Sequence, residues 1–164
     1  MTTGLITFHA AHHYGAQLQA FALMHAIKNC GSECVIVDYV RKDTIEGKSL
    51  LKKNVSIRSL ISNLHTMLNY QALSKRRKRF DDFVEGRMSL TKSKYSSMIE
   101  LINDTPECDT WVCGSDQIWN PLIYKEQDFD PVFFASFTEK GRKISYAPSF
   151  GISKMPARYA ASLR

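Results

Sequence analysis

The sequence predicts an α/β fold, a Rossmann-like parallel sheet flanked by helices. Residues 5–39 read as strand, helix, strand, the βαβ unit whose right-handed crossover builds parallel sheets. Two later runs, Thr110-Trp111-Val112-Cys113 and Lys143-Ile144-Ser145-Tyr146-Ala147, each stop abruptly at a polar segment containing glycine. Strands of an open sheet end in this way where they give way to loops.

The elements follow in order. Leu5-Ile6-Thr7-Phe8 is a short apolar run, read as a first buried strand. After His9-Ala10-Ala11-His12-His13-Tyr14-Gly15, the segment 16–29 places Leu18, Phe21, Ala22, His25 and Ile27 at approximate helical spacing, and Gly31 suits a C-terminal stop. Cys34-Val35-Ile36-Val37-Asp38-Tyr39, β-branched at its centre, is the second strand. Residues 41–54 are polar and basic and predict a loop. Ile57, Leu60, Ile61, Leu64, Met67 and Leu68 then repeat at three and four residues, predicting an amphipathic helix. A second helix is expected over 74–85, a short extended piece at Leu90-Thr91, and a short helix over 96–102 capped by Ser96 or Ser97, with Glu100 in its first turn. The strand ending at Cys113 leads into a loop over 117–131. The strand 143–147 is followed by Pro148-Ser149-Phe150-Gly151, and a last helix is expected over 153–164 with Pro156 in its first turn.

A chain of 164 residues has room for one domain with a core and not for two. Its 44% apolar and 23% charged residues argue for a globular domain and against disorder. No apolar run approaches the roughly 20 residues of a membrane helix, and Met1 to Phe8 has no basic stretch of a secretory signal. The expectation is a cytoplasmic protein. The formal net charge of +6 suits anionic partners such as phosphates, nucleotides or membrane headgroups. Much of it lies in Lys75-Arg76-Arg77-Lys78-Arg79. That run can make a weak contact with an anionic membrane surface, but Phe80, Phe83 and Val84 at helical spacing favour a helix packed on one face with the basic residues solvated. No aromatic residue interleaves the charges as in single-strand binders, so no nucleic-acid partner is expected. Cys30, Cys34, Cys108 and Cys113 form two loose pairs without zinc-knuckle spacing. No metal and no disulfide is expected; Cys34 and Cys113, within strands, read as small apolar side chains.

Ligands of open parallel sheets bind beyond the carboxyl ends of the strands. Three such ends carry small polar segments with glycine: His13-Tyr14-Gly15, Gly114-Ser115-Asp116-Gln117 and Ser149-Phe150-Gly151. In a parallel sheet all three share one edge. Glycine admits a ligand to backbone N–H groups, and a following helix N-terminus favours negative charge, which makes Gly15 and Ala16 the anion-facing backbone. The expected ligand is anionic, bearing a sugar or a phosphate. Neither Gly-x-Gly-x-x-Gly nor a Gly-Lys-Ser/Thr loop is present, which argues against nicotinamide, flavin and P-loop nucleotides. No cofactor is expected.

Tyr14-Gly15-Ala16-Gln17-Leu18-Gln19-Ala20, the strand end Val37-Asp38-Tyr39, Gly114-Ser115-Asp116-Gln117-Ile118-Trp119-Asn120-Pro121 and Ile144-Ser145-Tyr146-Ala147-Pro148-Ser149-Phe150-Gly151 together resemble the polysaccharide pyruvyl transferase family. The likeness runs in order through nearly the whole chain, and the Gly-Ser-Asp-Gln-x-Trp-Asn string is its most specific part. The resemblance implies a transferase that moves pyruvate from phosphoenolpyruvate onto a sugar hydroxyl as a ketal, in cell-surface polysaccharide biosynthesis. Phosphoenolpyruvate is then a donor substrate and not a cofactor, and the acceptor is a nucleotide- or lipid-linked sugar. The resemblance also implies a GT-B-type enzyme of two Rossmann-like halves with the active site between them, of which this chain matches the N-terminal half. The expectation is therefore a single Rossmann-like N-terminal domain over 1–164, truncated, lacking the C-terminal domain and inactive alone. A lipid-linked acceptor would bring it to the inner membrane face as a peripheral protein. His13 departs from the family, which commonly has Asn before Tyr-Gly.

Asp116 is the candidate catalytic residue, because ketal formation needs a base near an acceptor hydroxyl; the same carboxylate can instead cap the following turn. The candidate substrate-binding residues are His13, Tyr14, Gly15, Gly114, Ser115, Gln117, Trp119, Tyr146 and Ser149. His12 or His13 can donate to a substrate anion. Ser115 and Gln117 can bond sugar hydroxyls or only their own turn. Trp119 can stack on a sugar or anchor the packing, Asn120 is simplest as a turn residue, and Tyr146 lines the cleft or sits in the core. Two other readings use the same residues: a non-catalytic sugar- or nucleotide-binding module, and a GT-B glycosyltransferase using a nucleotide-sugar.

Overall fold

The computed structural model describes residues 1–47, 56–124 and 128–159. Among them, β1 (Thr2–Ile6), β2 (Glu33–Ile36), β3 (Thr110–Asp116) and β4 (Arg142–Pro148) form one sheet in the order β2-β1-β3-β4, with every pairing parallel. Helix α1 (Tyr14–Asn29) carries the chain from β1 to β2, and α2 (Lys42–Gly47), α3 (Ile57–Leu68), α4 (Tyr70–Arg87) and α5 (Met98–Asn103) lie between β2 and β3. The predicted α/β class holds.

Successive residues of each strand point to opposite faces, and both faces here are apolar. Leu5, Cys34, Ile36 and Val112 pack with Ala20, Leu23 and Met24 of α1 and Val84 of α4. Ile6, Trp111 and Cys113 pack on the other face with Leu101 of α5 and with Val132 and Phe133 of a single 3₁₀ turn (Pro131–Phe134). A sheet buried on both faces needs near-continuous apolar strands, which the runs in β1 and β3 provide. Burial pushes the thiols of Cys34 and Cys113 up to about 11 and about 12. They are core side chains, as their strand positions suggested.

Several boundaries differ from the expected ones. β1 ends at Ile6 rather than Phe8, because the chain turns there, with His9 N donating to Thr7 O at 3.0 Å. β2 ends at Ile36, after which Tyr39 N bonds back to Val37 O at 2.7 Å. Leu90 and Tyr95 pair with this edge as isolated parallel bridges to Ile36 and Tyr39. The loop expected over 41–54 contains α2; residues 48–55 lie outside the described ones. α4 runs four residues further N-terminally than the expected start at residue 74. Ser97 caps α5, accepting from Glu100 N at 3.4 Å. In place of the helix expected from residue 153, the described residues hold a 3₁₀ turn, Ala157–Tyr159. Pro156 biases the preceding Met155 away from the helical region, which works against a helix begun at Ser153; residues 160–164 lie outside the described ones. No helix among the described residues is long and apolar enough to cross a membrane.

Candidate functional site at the sheet's switch point

From β1 the sheet grows in one direction to β2 and in the other to β3. Such a reversal leaves a crevice beyond the carboxyl ends of the two central strands, and the predicted segments gather there. Because all pairings are parallel, the segments after β1, β3 and β4 stand on one rim.

The tightest connection at this rim joins β1, α1 and β3. Ser115 donates its hydroxyl proton to Gln19 Oε1 of α1. Gln19 Nε2 donates to Thr7 Oγ1 at 2.9 Å, and Thr7 Oγ1 donates to the carbonyl of Ser115 at 3.4 Å. The three bonds form a closed ring in which each residue both gives and receives, Ser115 through its hydroxyl and its backbone carbonyl. Thr7 is buried, while Gln19 and Ser115 are half-buried. Thr7 and Gln19 were not among the expected site residues. The only sequence signal for Gln19 was its place inside the string Tyr14 to Ala20; nothing in the spacing announced that it turns toward β3.

A second connection joins the β3 and β4 loops. Ser149 N donates to Asp116 O at 2.9 Å, and Trp119 N donates to Ser149 O at 3.3 Å. Ser149 Oγ accepts from Gly151 N at 3.0 Å, and Gln117 Oε1 accepts from Asn120 Nδ2 at 3.0 Å. Glycine is required at two points here. Gly114 has φ +140°, and a Cβ on it would meet the carbonyl oxygen of Tyr146 at 1.9 Å. Gly151 has φ +65°, and its Cβ would lie 2.3 Å from Gln117 Oε1.

Asp116 sits half-buried at the end of β3 with φ +80°, a left-handed conformation that Asp tolerates better than most residues. Its Oδ1 accepts from Gln117 N at 2.7 Å, the local bond expected of a capping carboxylate. Oδ2 has no hydrogen bond among the described residues, so the cap occupies one oxygen only.

The remaining candidates divide. Trp119 donates from Nε1 to Phe133 O at 2.9 Å and stacks on Phe134 with centroids 4.9 Å apart and rings 4° from parallel. It is a packing anchor for the loop. Asn120 caps a 3₁₀ turn through Leu122 N at 3.0 Å, as a turn residue should. Tyr146 stands on the edge strand β4 and is 58% exposed, so it is not a core residue. His13 caps α1, its Nδ1 accepting from Ala16 N at 3.4 Å, with Gly15 beneath the ring. Tyr14 turns away from the β3 loop to lean on Phe80 of α4, with ring centroids 4.7 Å apart. The first segment thus shares the rim with Asp116 and Ser149 but engages a different neighbour.

Beside β2 the rim is held by buried charge. His9 is 1% exposed, with Nε2 3.1 Å from Asp38 Oδ1. Tyr39 donates to Asp130 Oδ2 at 2.8 Å, and Arg41 reaches Asp130 at 3.4 Å and Asp43 at 3.1 Å. Burial, reinforced by the Asp130 carboxylate, pushes the Tyr39 hydroxyl up, so it stays a donor. Among the described residues no group of three or more His, Cys, Asp or Glu side chains could hold a metal ion: His9 pairs with Asp38, His12 Nε2 with Asp81 at 2.9 Å, and His13 caps its helix.

No curated protein and no solved structure matches the chain. A family model does, polysaccharide pyruvyl transferase, over residues 13–163. The match takes in the α1 N-terminus, the Gly114–Gln117 turn and the β4 loop, the same segments that the parallel sheet brings to one rim. The chain belongs to the polysaccharide pyruvyl transferase family.

Proposed function

We propose that this domain binds the sugar acceptor of a pyruvyl transferase that forms a ketal from phosphoenolpyruvate in cell-surface polysaccharide biosynthesis. Family membership supports a transferase. The observation that carries the reading is the rim at the switch point: Ser115 locked to α1, Ser149 locked to Asp116, and one Asp116 oxygen left without a protein partner among the described residues.

The reaction adds two sugar hydroxyls to C2 of phosphoenolpyruvate. C3 takes a proton and becomes a methyl group, the bond from C2 to the phosphate oxygen breaks, and phosphate leaves with the second proton. Asp116 Oδ2 accepts a proton from an acceptor hydroxyl, a contribution of about 10²–10⁴ in rate for a positioned base. Gln117 and Ser149 orient the sugar, and a second Rossmann-like half, in a GT-B arrangement, supplies the donor contacts. The acceptor is a nucleotide- or lipid-linked sugar, met at the cytoplasmic face of the membrane.

The test is phosphate release and ketal formation with phosphoenolpyruvate and a panel of nucleotide- and lipid-linked sugars, using the product of the full reading frame. Ketal on at least one acceptor supports the reading. A chain that binds a sugar with no turnover of phosphoenolpyruvate on any acceptor would make it a binding module, and turnover of a nucleotide-sugar donor instead would make it a glycosyltransferase.

A further inference from the structure

Over residues 61–68, helix α3 turns its apolar side chains outward. The half-buried positions along it include the polar Ser62, Asn63 and Thr66, whereas Ile61, Leu64, Met67 and Leu68 are 66%, 60%, 61% and 79% exposed. An apolar stripe at helical spacing normally turns toward the core, and a contiguous exposed one marks a surface that something covers.

The next helix supplies charge. α3 passes into α4 through Asn69 alone, and helical hydrogen bonding barely breaks there: Asn69 N donates to His65 O at 3.2 Å and Leu73 N to Asn69 O at 3.0 Å. At roughly 100° per residue, Lys75, Arg79 and Arg76 share one side of α4, Arg76 nearest the buried Phe80 and Lys75 opposite the buried Val84; Asp82 falls beside Lys75, and Asp81 and Glu85 lie on the far flank. All three basic residues are exposed. Arg76 and Arg79 line a groove of about 320 Å³ with Tyr14 and Leu18 of α1, themselves 64% and 56% exposed. Lys78, by contrast, is paired with Asp82 at 2.6 Å. The exposed apolar residues of α3 are thus followed directly along the chain by the exposed cations of α4, and the groove joins Arg76 and Arg79 to the first turns of α1.

We propose that this surface docks on an anionic lipid bilayer, with the apolar stripe of α3 entering the headgroup boundary and Lys75, Arg76 and Arg79 meeting acidic headgroups. Exposed cations next to an exposed apolar stripe match a surface that is anionic outside and apolar within, which a nucleic acid is not; pairing with a second copy is an outcome of the test below. An interfacial helix pairs an apolar face with a basic one for binding of this kind. The proposal is independent of the transfer reaction, since it needs neither donor nor acceptor sugar.

The test is co-sedimentation of the 164-residue chain with vesicles of phosphatidylcholine alone and of phosphatidylcholine mixed with phosphatidylglycerol. Binding is expected to the mixed vesicles, to weaken with added salt, and to drop about fivefold for each cation removed in Lys75→Gln and Arg79→Gln. Leu64→Ser with Leu68→Ser should reduce it about tenfold or more, with the melting temperature held, because both side chains are already in solvent. Three outcomes would overturn the proposal: no binding to either vesicle, equal binding to both, or self-association in solution that the Leu64 and Leu68 changes abolish.

Discussion

Ser115 at the end of β3 donates its hydroxyl proton to Gln19 of α1, a residue 96 positions earlier in the chain. With Thr7 closing the ring, this bond fixes the turn that carries Asp116 against the helix that opens the site. The ring makes a prediction about coupling. Gln19→Ala removes two of its bonds and Ser115→Ala removes one, each at a cost of about 1 kcal/mol. Because both changes break the same bond, the double variant should lose about 0.5–1 kcal/mol less than the sum of the singles. Urea unfolding of the four proteins measures this; strict additivity would mean that the three side chains do not act as a unit.

The two glycines of the rim should differ in what they tolerate. An alanine at Gly151 meets the movable ends of Gln117 and Asn120 and takes a left-handed φ. Its cost is about 1–2 kcal/mol, together with loss of the bond between Asn120 and Gln117. An alanine at Gly114 meets the backbone carbonyl of Tyr146, which can yield only by parting β3 from β4. Gly114→Ala should therefore destabilise the chain more than Gly151→Ala does, by about 1 kcal/mol or more, and should raise hydrogen exchange along Arg142–Pro148 before the rest of the sheet. Equal melting temperatures for the two variants would contradict the close approach at Gly114.

What the sequence made legible was whatever repeats with a period. β1, α1 and β2 announced themselves through apolar spacing, and the parallel sense of the sheet followed from the helix between the strands. The gathering of Gly15, Asp116 and Ser149 on one rim then needed only that parallel sense. Thr7 and Gln19 were invisible, because a polar side chain turned inward from a helix has no periodic signature. Trp119 illustrates a different limit: the same residue fits a sugar platform and a packing anchor, and only the parallel ring of Phe134 shows which neighbour it has. In α3 the spacing located the helix but carried no information on which way its stripe faces, since a stripe that faces solvent and one that faces the core have the same period.

The cap of α5 predicts a pH dependence. Ser96 donates its backbone N–H to Glu100 Oε2 at 2.6 Å and its hydroxyl to Oε1 at 3.0 Å. These bonds, the backbone one first, hold the carboxyl below its usual value. A carboxylate whose pKa is depressed by folding adds stability that is fully present above its unfolded pKa and is lost as the pH falls through the lower, folded one. Glu100→Gln should therefore be less stable than the wild-type chain at neutral pH, and the two stability curves should converge as the solution is acidified through the carboxylate range. Chemical denaturation at a series of pH values gives both curves; a constant gap between them would show that the Ser96 bonds do not select the charged form.

One substitution separates the turn cap that Asp116 forms from the role proposed for it above. Its Oδ1 holds the turn through Gln117 N, while Oδ2 is the oxygen assigned to the acceptor hydroxyl. In Asp116→Asn the amide oxygen can keep the bond to Gln117 N, but the side chain can no longer take a proton. The melting temperature should stay within a few degrees of the wild type, corresponding to less than about 1 kcal/mol. Under the proposed function, ketal formation should fall by about 10²–10⁴, with acceptor binding nearly unchanged, because the loss lies in proton transfer. Asp116→Ala adds the loss of the turn bond and should lower stability by a further ~1 kcal/mol. If Asp116→Asn turned over at the wild-type rate while Asp116→Ala unfolded more readily, the carboxylate would be a turn cap alone, and the base of the reaction would have to come from another residue at the rim.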